Sequence, residues 1–323
     1  MASLTRRSDS RAQLILVTAL AVAAMLVALT IILNSAIYTQ NLASRSGPMN
    51  TDATKYHSEV VRGSSAVLEY ANEHNGSSSD AVSENFTAGV ADLSEAAGYQ
   101  RAVRGQSVAV EVVSHINGSR VVQDDRNRDF TDANGQSNWR VVSGVDKTDD
   151  RSFVLNVSVS ALSDTCTSLG DCFHLNVTEA GAPNNWTVQL REESPSKIEL
   201  AVYNGSGWVK EQFDAPNGYA VIDVRRGIVN GQRHSEFEFA ENVAGTVHYQ
   251  YRAGDKVEGS YTISVDDEKP ADPPVRTSLN GTTSTDSPYV RYSVNEATVE
   301  ITYRSDRIRY ESEGTVLSED DDV

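Results

Sequence analysis

At 323 residues the chain is long enough for one large or two small domains with a real core, so no disulfide framework is needed to hold it together. Its formal charge is −17, and its 28 basic residues divide into 22 Arg and six Lys. No basic stripe occurs beyond the first dozen residues, which excludes nucleic acid as a partner; an acidic, lysine-poor surface fits a protein kept hydrated in concentrated salt, where repulsion between carboxylates is screened within a few ångströms.

Residues 1–12 are a basic leader carrying Arg6, Arg7 and Arg11, and an uncharged apolar run follows from Leu14 to Leu33. Twenty residues rising about 1.5 Å each cover the roughly 30 Å hydrocarbon core of a bilayer, so residues 13–45 read as a transmembrane helix and the start of a stem. The next basic residue is Arg45, and the positive-inside bias keeps the leader in the cytoplasm and sends the C-terminus out. The expected location is therefore a single-pass plasma-membrane protein with an extracellular C-terminal domain. A cleavable secretory signal is an alternative, although such signals have an apolar region of about 7–15 residues; an anchor helix that is never processed is another. Ala19, Ala23, Ala24 and Ala28 give the run a small face on which helices can approach closely.

The order Arg11-Ala12-Gln13 followed by the apolar run resembles the class III signal of archaeal type IV pilin-like proteins. The layout as a whole is similar to pilin-like membrane proteins of halophilic archaea. The resemblance implies that a prepilin peptidase cuts between Ala12 and Gln13 and that the exposed helix stays in the bilayer or packs into a filament core with other pilin-like proteins. Val17 stands at the fifth mature position, where many pilins carry Glu. The function implied is that of a non-enzymatic cell-surface protein, a minor subunit or accessory of a type IV pilus-like, secretion or adhesion apparatus. The alternative is a membrane-anchored extracellular binding module that recognises a partner or a glycan without any filament.

Residues 46–105 read as helical. Tyr56, Val60, Val67, Leu68 and Ala71 keep helical spacing, and Val82, Phe86, Val90, Leu93 and Ala97 recur at i, i+4, i+8, i+11 and i+15. Asn75 to Asp80 form the turn between the two helices, with Ser79 or Asp80 placed to cap the second. Gly47-Pro48 predicts an interruption before the first, giving a stem in two pieces.

From Gln106 the period switches to two, and 106–266 read as a β-rich ectodomain. Val108, Val110 and Val112 alternate up to Asn117-Gly118, a hairpin dipeptide. Further alternation runs through Phe153/Leu155/Val157/Val159, Phe173/Leu175/Val177, Trp186/Val188/Leu190 and Ile198/Leu200/Val202. Phe237/Phe239, Val247/Tyr249/Tyr251 and Tyr261/Ile263/Val265 continue it. Residues 267–288, rich in Asp, Pro, Ser and Thr, read as a linker or crossing loop, and 289–323 as a C-terminal hairpin around Ser305-Asp306 with an acidic tail. The expected fold class is α+β: a transmembrane helix and short helical stem, then a mainly antiparallel β-sandwich-like ectodomain.

Cys166 and Cys172, the only cysteines, lie close enough in an extracytoplasmic setting to read as a local disulfide. His174 would make a zinc set with them only if a fourth ligand stood nearby, and strand alternation places His174 on an exposed position. Eight Asn-X-Ser/Thr acceptors occur, at Asn75, Asn85, Asn117, Asn156, Asn176, Asn185, Asn204 and Asn280. Asn156, Asn176 and Asn185 fall on the polar phase of their strands, so a glycan there points to solvent. Asp124, Asp125, Asn127, Asp129 and Asp132 alternate as calcium ligands do. Phe130 replaces the turn glycine of an EF-hand, however, and Gln136 replaces its closing glutamate, so the segment reads as an acidic surface loop. Asn204-Gly-Ser206-Gly207 reads as a hairpin rather than a serine elbow. The histidines are scattered, and paired carboxylates such as Glu192-Glu193 or Glu236/Glu238 are common in so acidic a chain. The sequence therefore points to no catalytic residue, no metal and no cofactor.

Overall fold

The protein is described from a computed structural model over residues 52–168, 170–183, 185–203, 207–234, 237–271, 278–306 and 308–318. The chain divides into two compact units, Met1–Ser58 and Glu59–Val323. Residues 52–58 of the first unit are the opening turns of helix α1 (52–75), where Ser58 Oγ donates to the Thr54 carbonyl at 3.2 Å.

The second unit carries the rest of α1, helix α2 (Ser79–Ala102) and two antiparallel sheets. The first three strands are β1 (Ser107–Gln123), β2 (Trp139–Asp146) and β3 (Asp150–Ser158). Four more follow: β4 (His174–Glu179), β5 (Asn185–Ser194), β6 (Lys197–Tyr203) and β7 (Trp208–Asp214). Then come β8 (Tyr219–Asp223), β9 (Ile228–Val229), β10 (Gln232–Arg233) and β11 (Thr246–Arg252). The chain closes with β12 (Gly259–Val265), β13 (Tyr289–Arg304) and β14 (Arg309–Leu317). One sheet runs β10-β9-β8-β3-β12-β1-β13-β14 and the other β2-β11-β4-β5-β6-β7.

The sandwich forms because the period-2 residues of both sheets turn inward. Phe153, Leu155 and Val157 of β3 and Tyr261 and Ile263 of β12 meet Leu175, Val177, Trp186, Leu190, Tyr249 and Tyr251 of the facing sheet, all fully or almost fully buried. Phe130, from the loop after β1, sits among Phe173, Tyr251 and Tyr261 with ring centroids 5.0–5.4 Å apart.

The expected transmembrane helix and stem are corrected here. No helix among the described residues is long and apolar enough to cross a membrane. The span expected at 13–45 and the Gly47-Pro48 interruption lie outside the described residues. Nor do the helices form a stem. α2 packs along β1 and against β13, and the helices close on each other at small residues: a Cβ on Gly63 would meet Leu93 Cδ2 at 3.1 Å, and one on Gly89 would meet Val67 Cγ1 at 2.5 Å. The reason is burial. Leu68, Ala71, Val82, Phe86 and Val90 form apolar stripes that a solvated stem would expose, and each is at most 1% exposed.

Three further expectations are corrected. Asn117-Gly118 is no hairpin turn; β1 runs straight through it for 17 residues, pairing with β13, and the dipeptide lies beside a bulge at Ile116/Asn117. The glycine is needed for close approach, since a Cβ there would stand 2.1 Å from the Val265 carbonyl oxygen and 2.4 Å from Asn295 Nδ2. α2 is capped by Ser78, whose Oγ accepts from the Ala81 N–H at 3.2 Å, while Ser79 Oγ donates to Glu268 instead. Phe237 and Phe239 lie in irregular and turn structure rather than a strand, and they pack edge-on to Trp186.

The hairpin at Ser305-Asp306 joins β13 to β14 with Arg304 opposite Arg309, which sets β13 between β1 and β14 in the larger sheet. Segment 267–288 includes a short 3₁₀ turn at Lys269–Ala271 that touches β1, β2 and β13.

Candidate functional site

Arg11, Ala12 and Gln13, the expected processing site, lie outside the described residues, as does Asn204. The cysteines form the disulfide Cys166–Cys172, with Cα atoms 5.6 Å apart. His174 is not exposed as alternation predicts. It is 8% exposed, its Nδ1 is 3.2 Å from the Cys172 carbonyl oxygen, and burial, with Arg252 nearby, holds its imidazole below the ordinary histidine range.

The acidic stretch after β1 folds on itself. Asp125 Oδ1 accepts from the Asn127 N–H at 3.0 Å, and Asp132, 4% exposed, accepts from the Asn134 and Gln136 N–H groups at 2.8 Å each. Among the described residues no three His, Cys, Asp or Glu side chains converge in a geometry that could hold a metal ion.

Two hollows on the described residues stand out. One, of about 450 Å³, opens beside the edge strand β2 and is lined by Asp132, Gln136, Asn138, Trp139, Arg140 and Ser143, with Pro270, Ser278 and Leu279 opposite. Its walls are held from behind. Trp139 Nε1 donates to the Phe130 carbonyl at 2.9 Å, and Asn138 Oδ1 accepts from the Ala253 N–H at 3.0 Å. Beside it, at a β2/β11 bulge, Gly144 adopts φ +80° and its N–H donates to His248 Nδ1 at 3.1 Å, with Ser143 Oγ 2.9 Å from the same nitrogen. Because the Gly144 N–H points at it, Nδ1 serves as an acceptor, and burial, and then Arg140, hold the His248 imidazole below its ordinary range. Alternation did not reveal these residues, because two bulges in β2 break its period.

The second hollow, of about 620 Å³, lies where the last turns of α2 meet β1, between Ala91, Glu95, Gly98, Tyr99 and Val108, Val110, Glu111. Here Ser94 Oγ accepts the Val110 N–H at 2.8 Å, so α2 guards the edge of β1 that β12, paired with β1 only over Ser119–Gln123, leaves open. Around it Tyr99, Val103 and Val113 are each more than half exposed.

The sandwich interior carries phenols rather than a site. Burial pushes the Tyr249, Tyr251 and Tyr261 hydroxyls well above the ordinary tyrosine range, so all three stay neutral.

Residues 8–167 match a family of unknown function (DUF7261), a match that takes in Arg11-Ala12-Gln13, the apolar run, α1, α2, β1 to β3 and Cys166. No curated protein and no solved structure matches the chain.

Proposed function

We propose that this chain is a non-enzymatic, pilin-like cell-surface protein, a minor subunit or accessory of a type IV pilus-like, secretion or adhesion apparatus. It is attached at the plasma membrane through its amino-terminal part, with the β-rich part outside the cell. The single observation that carries the reading is Arg11-Ala12-Gln13 standing directly before twenty uncharged apolar residues. The strongly acidic, lysine-poor composition and the formed Cys166–Cys172 disulfide support a place outside a reducing cytoplasm. Its partners are other pilin-like proteins and a prepilin peptidase. Labelling intact cells with a membrane-impermeant amine reagent tests the location, since Lys197, Lys210 and Lys256 are substantially exposed. The reading expects label on these lysines without lysis and recovery of leader-bearing proteins after cross-linking; lysines reactive only after lysis oppose it.

The cleft beside β2 favours a second reading, a surface-attached binding module. It gathers an indole edge, a guanidinium and two carboxamides, the mixture that orients a small polar ligand. Cross-linking that recovers only monomer would favour this over a filament role.

A further inference from the structure

Seven of the eight Asn-X-Ser/Thr acceptors lie on described residues, and the fold treats their amides differently. Asn117 is engaged twice at the joint of α2 and β1: its Nδ2 donates to Ser79 Oγ at 2.8 Å and its Oδ1 accepts from Ser83 Oγ at 3.0 Å. Asn280 donates from Nδ2 to the Asp286 carbonyl at 2.6 Å, while its main chain bonds Pro288 and Val290. Asn85 stands inside α2, its Nδ2 on the Ala81 carbonyl at 2.7 Å.

Asn156 and Asn176 lie in mid-sheet, each with a paired strand on both sides. Asn176 also faces Thr187 across the β4–β5 ladder and accepts its hydroxyl proton at 3.1 Å. The Asn156 amide makes no hydrogen bond among the described residues, but its Oδ1 is buried within the sheet. Asn75 and Asn185 differ from all of these in standing at element ends. Asn75 is the last residue of α1, before the turn Gly76-Ser77-Ser78, and Asn185 is the first residue of β5. Both are partly exposed, and neither carboxamide makes a hydrogen bond among the described residues.

We infer that the folded chain is N-glycosylated at Asn75 and Asn185 and left unmodified at Asn117, Asn176 and Asn280. The inference rests on the surface location proposed above. The donor is a saccharide carried on a polyisoprenyl phosphate. Asn Nδ2 bonds to the anomeric carbon, the bond from that carbon to the phosphate oxygen breaks, Nδ2 loses one proton, and the polyisoprenyl phosphate departs. The amide must reach the transferring enzyme, and the product places a sugar ring on Nδ2 that needs solvent around it. Only an amide at the end of an element, uncommitted to the fold, meets both demands. At Asn117 the ring would have to part α2 from β1, and at Asn280 it would displace the bond to Asp286.

Site-resolved glycopeptide mass spectrometry of the full-length protein extracted from its native membrane tests this. The expected result is saccharide mass on the peptides bearing Asn75 and Asn185 and bare peptides for Asn117, Asn176 and Asn280, with Asn185→Gln losing one glycan increment from the intact mass. Saccharide on Asn117, Asn176 or Asn280, or bare Asn75 and Asn185, overturns it. If bare sequons occur on protein that surface reagents label in intact cells, this inference alone fails; if the protein escapes such labelling, the surface reading fails with it.

Discussion

The carboxamide of Asn72 and the main chain of Val294, 222 positions apart, form a reciprocal pair: Asn72 Nδ2 donates to the Val294 carbonyl at 2.9 Å and Asn72 Oδ1 accepts the Val294 N–H at 2.8 Å. The pairing of β14 with β13 ends at Leu317 opposite Glu296, and from there α1 and the turn after it take over the ladder, with the Gly76 carbonyl accepting the Tyr292 N–H at 3.0 Å. Asn72 is 2% exposed, so nothing else can satisfy the strand at that point. Asn72→Leu leaves two buried main-chain groups unpaired and should cost about 3 kcal/mol, read from denaturant midpoints at unchanged m-value. A loss below about 1 kcal/mol would show that the pair is dispensable.

Glycines of α2 and β1 should respond in opposite directions. Gly118→Ala forces a Cβ against the Val265 carbonyl and should cost about 3 kcal/mol, because the obstacle is backbone. A Cβ on Gly98 meets nothing within 4 Å, so Gly98→Ala should stabilise α2 by about 0.5–1 kcal/mol. Thermal unfolding of both variants checks the contrast.

Acid should destabilise the fold through His174 and His248. Both imidazoles are held below their ordinary range in the folded chain, so the unfolded chain binds protons first as the pH falls. Their contribution is complete above the ordinary histidine value of about 6.5 and is lost as the pH drops through the depressed folded values. Melting temperature should therefore fall from pH 7 to pH 5, and less steeply in His174→Gln. A rise on acidification would contradict the assignment.

Salt should act through a row of like charges. Glu111, Glu300 and Glu313 stand directly opposite one another across β1, β13 and β14, all three exposed. Directly opposed carboxylates repel, and ions screen them. Raising the salt concentration should raise the melting temperature, and Glu300→Gln should flatten that dependence. A variant as salt-sensitive as the parent would place the effect elsewhere.

The short disulfide loop should matter modestly. Cys166 and Cys172 are six positions apart, and closing so small a loop is worth about 2 kcal/mol in the chain-entropy account. The double variant Cys166→Ser/Cys172→Ser should lose about that much in chemical denaturation, and a loss nearer 5 kcal/mol would mean that the loop packs more of the core than its length implies.

Strands with one buried face were legible because alternation is a direct record of burial, as at Phe153/Leu155/Val157 and Tyr249/Tyr251. What escaped was set by tertiary contact. β2 was hidden by its bulges, and Asn117-Gly118 carried a turn signal although its glycine serves the approach of Asn295. His174 fits the exposed phase of β4 yet is covered, its Nδ1 lying by the Cys172 carbonyl and Arg252 standing opposite it on β11, neighbours that alternation alone does not show. The helical spacing of α1 and α2 was plain, but an amphipathic stripe does not name its partner, and the larger sheet supplied one where a stem was expected. Nothing local distinguishes the committed amide of Asn117 from the uncommitted one of Asn185, since both sit in the same tripeptide grammar.

The most direct test is the amino-terminal peptide of the protein isolated from its native cells. The account predicts a mature chain beginning at Gln13, with Arg11 and Ala12 removed. A chain that still begins at Met1 or Ala2 would contradict it.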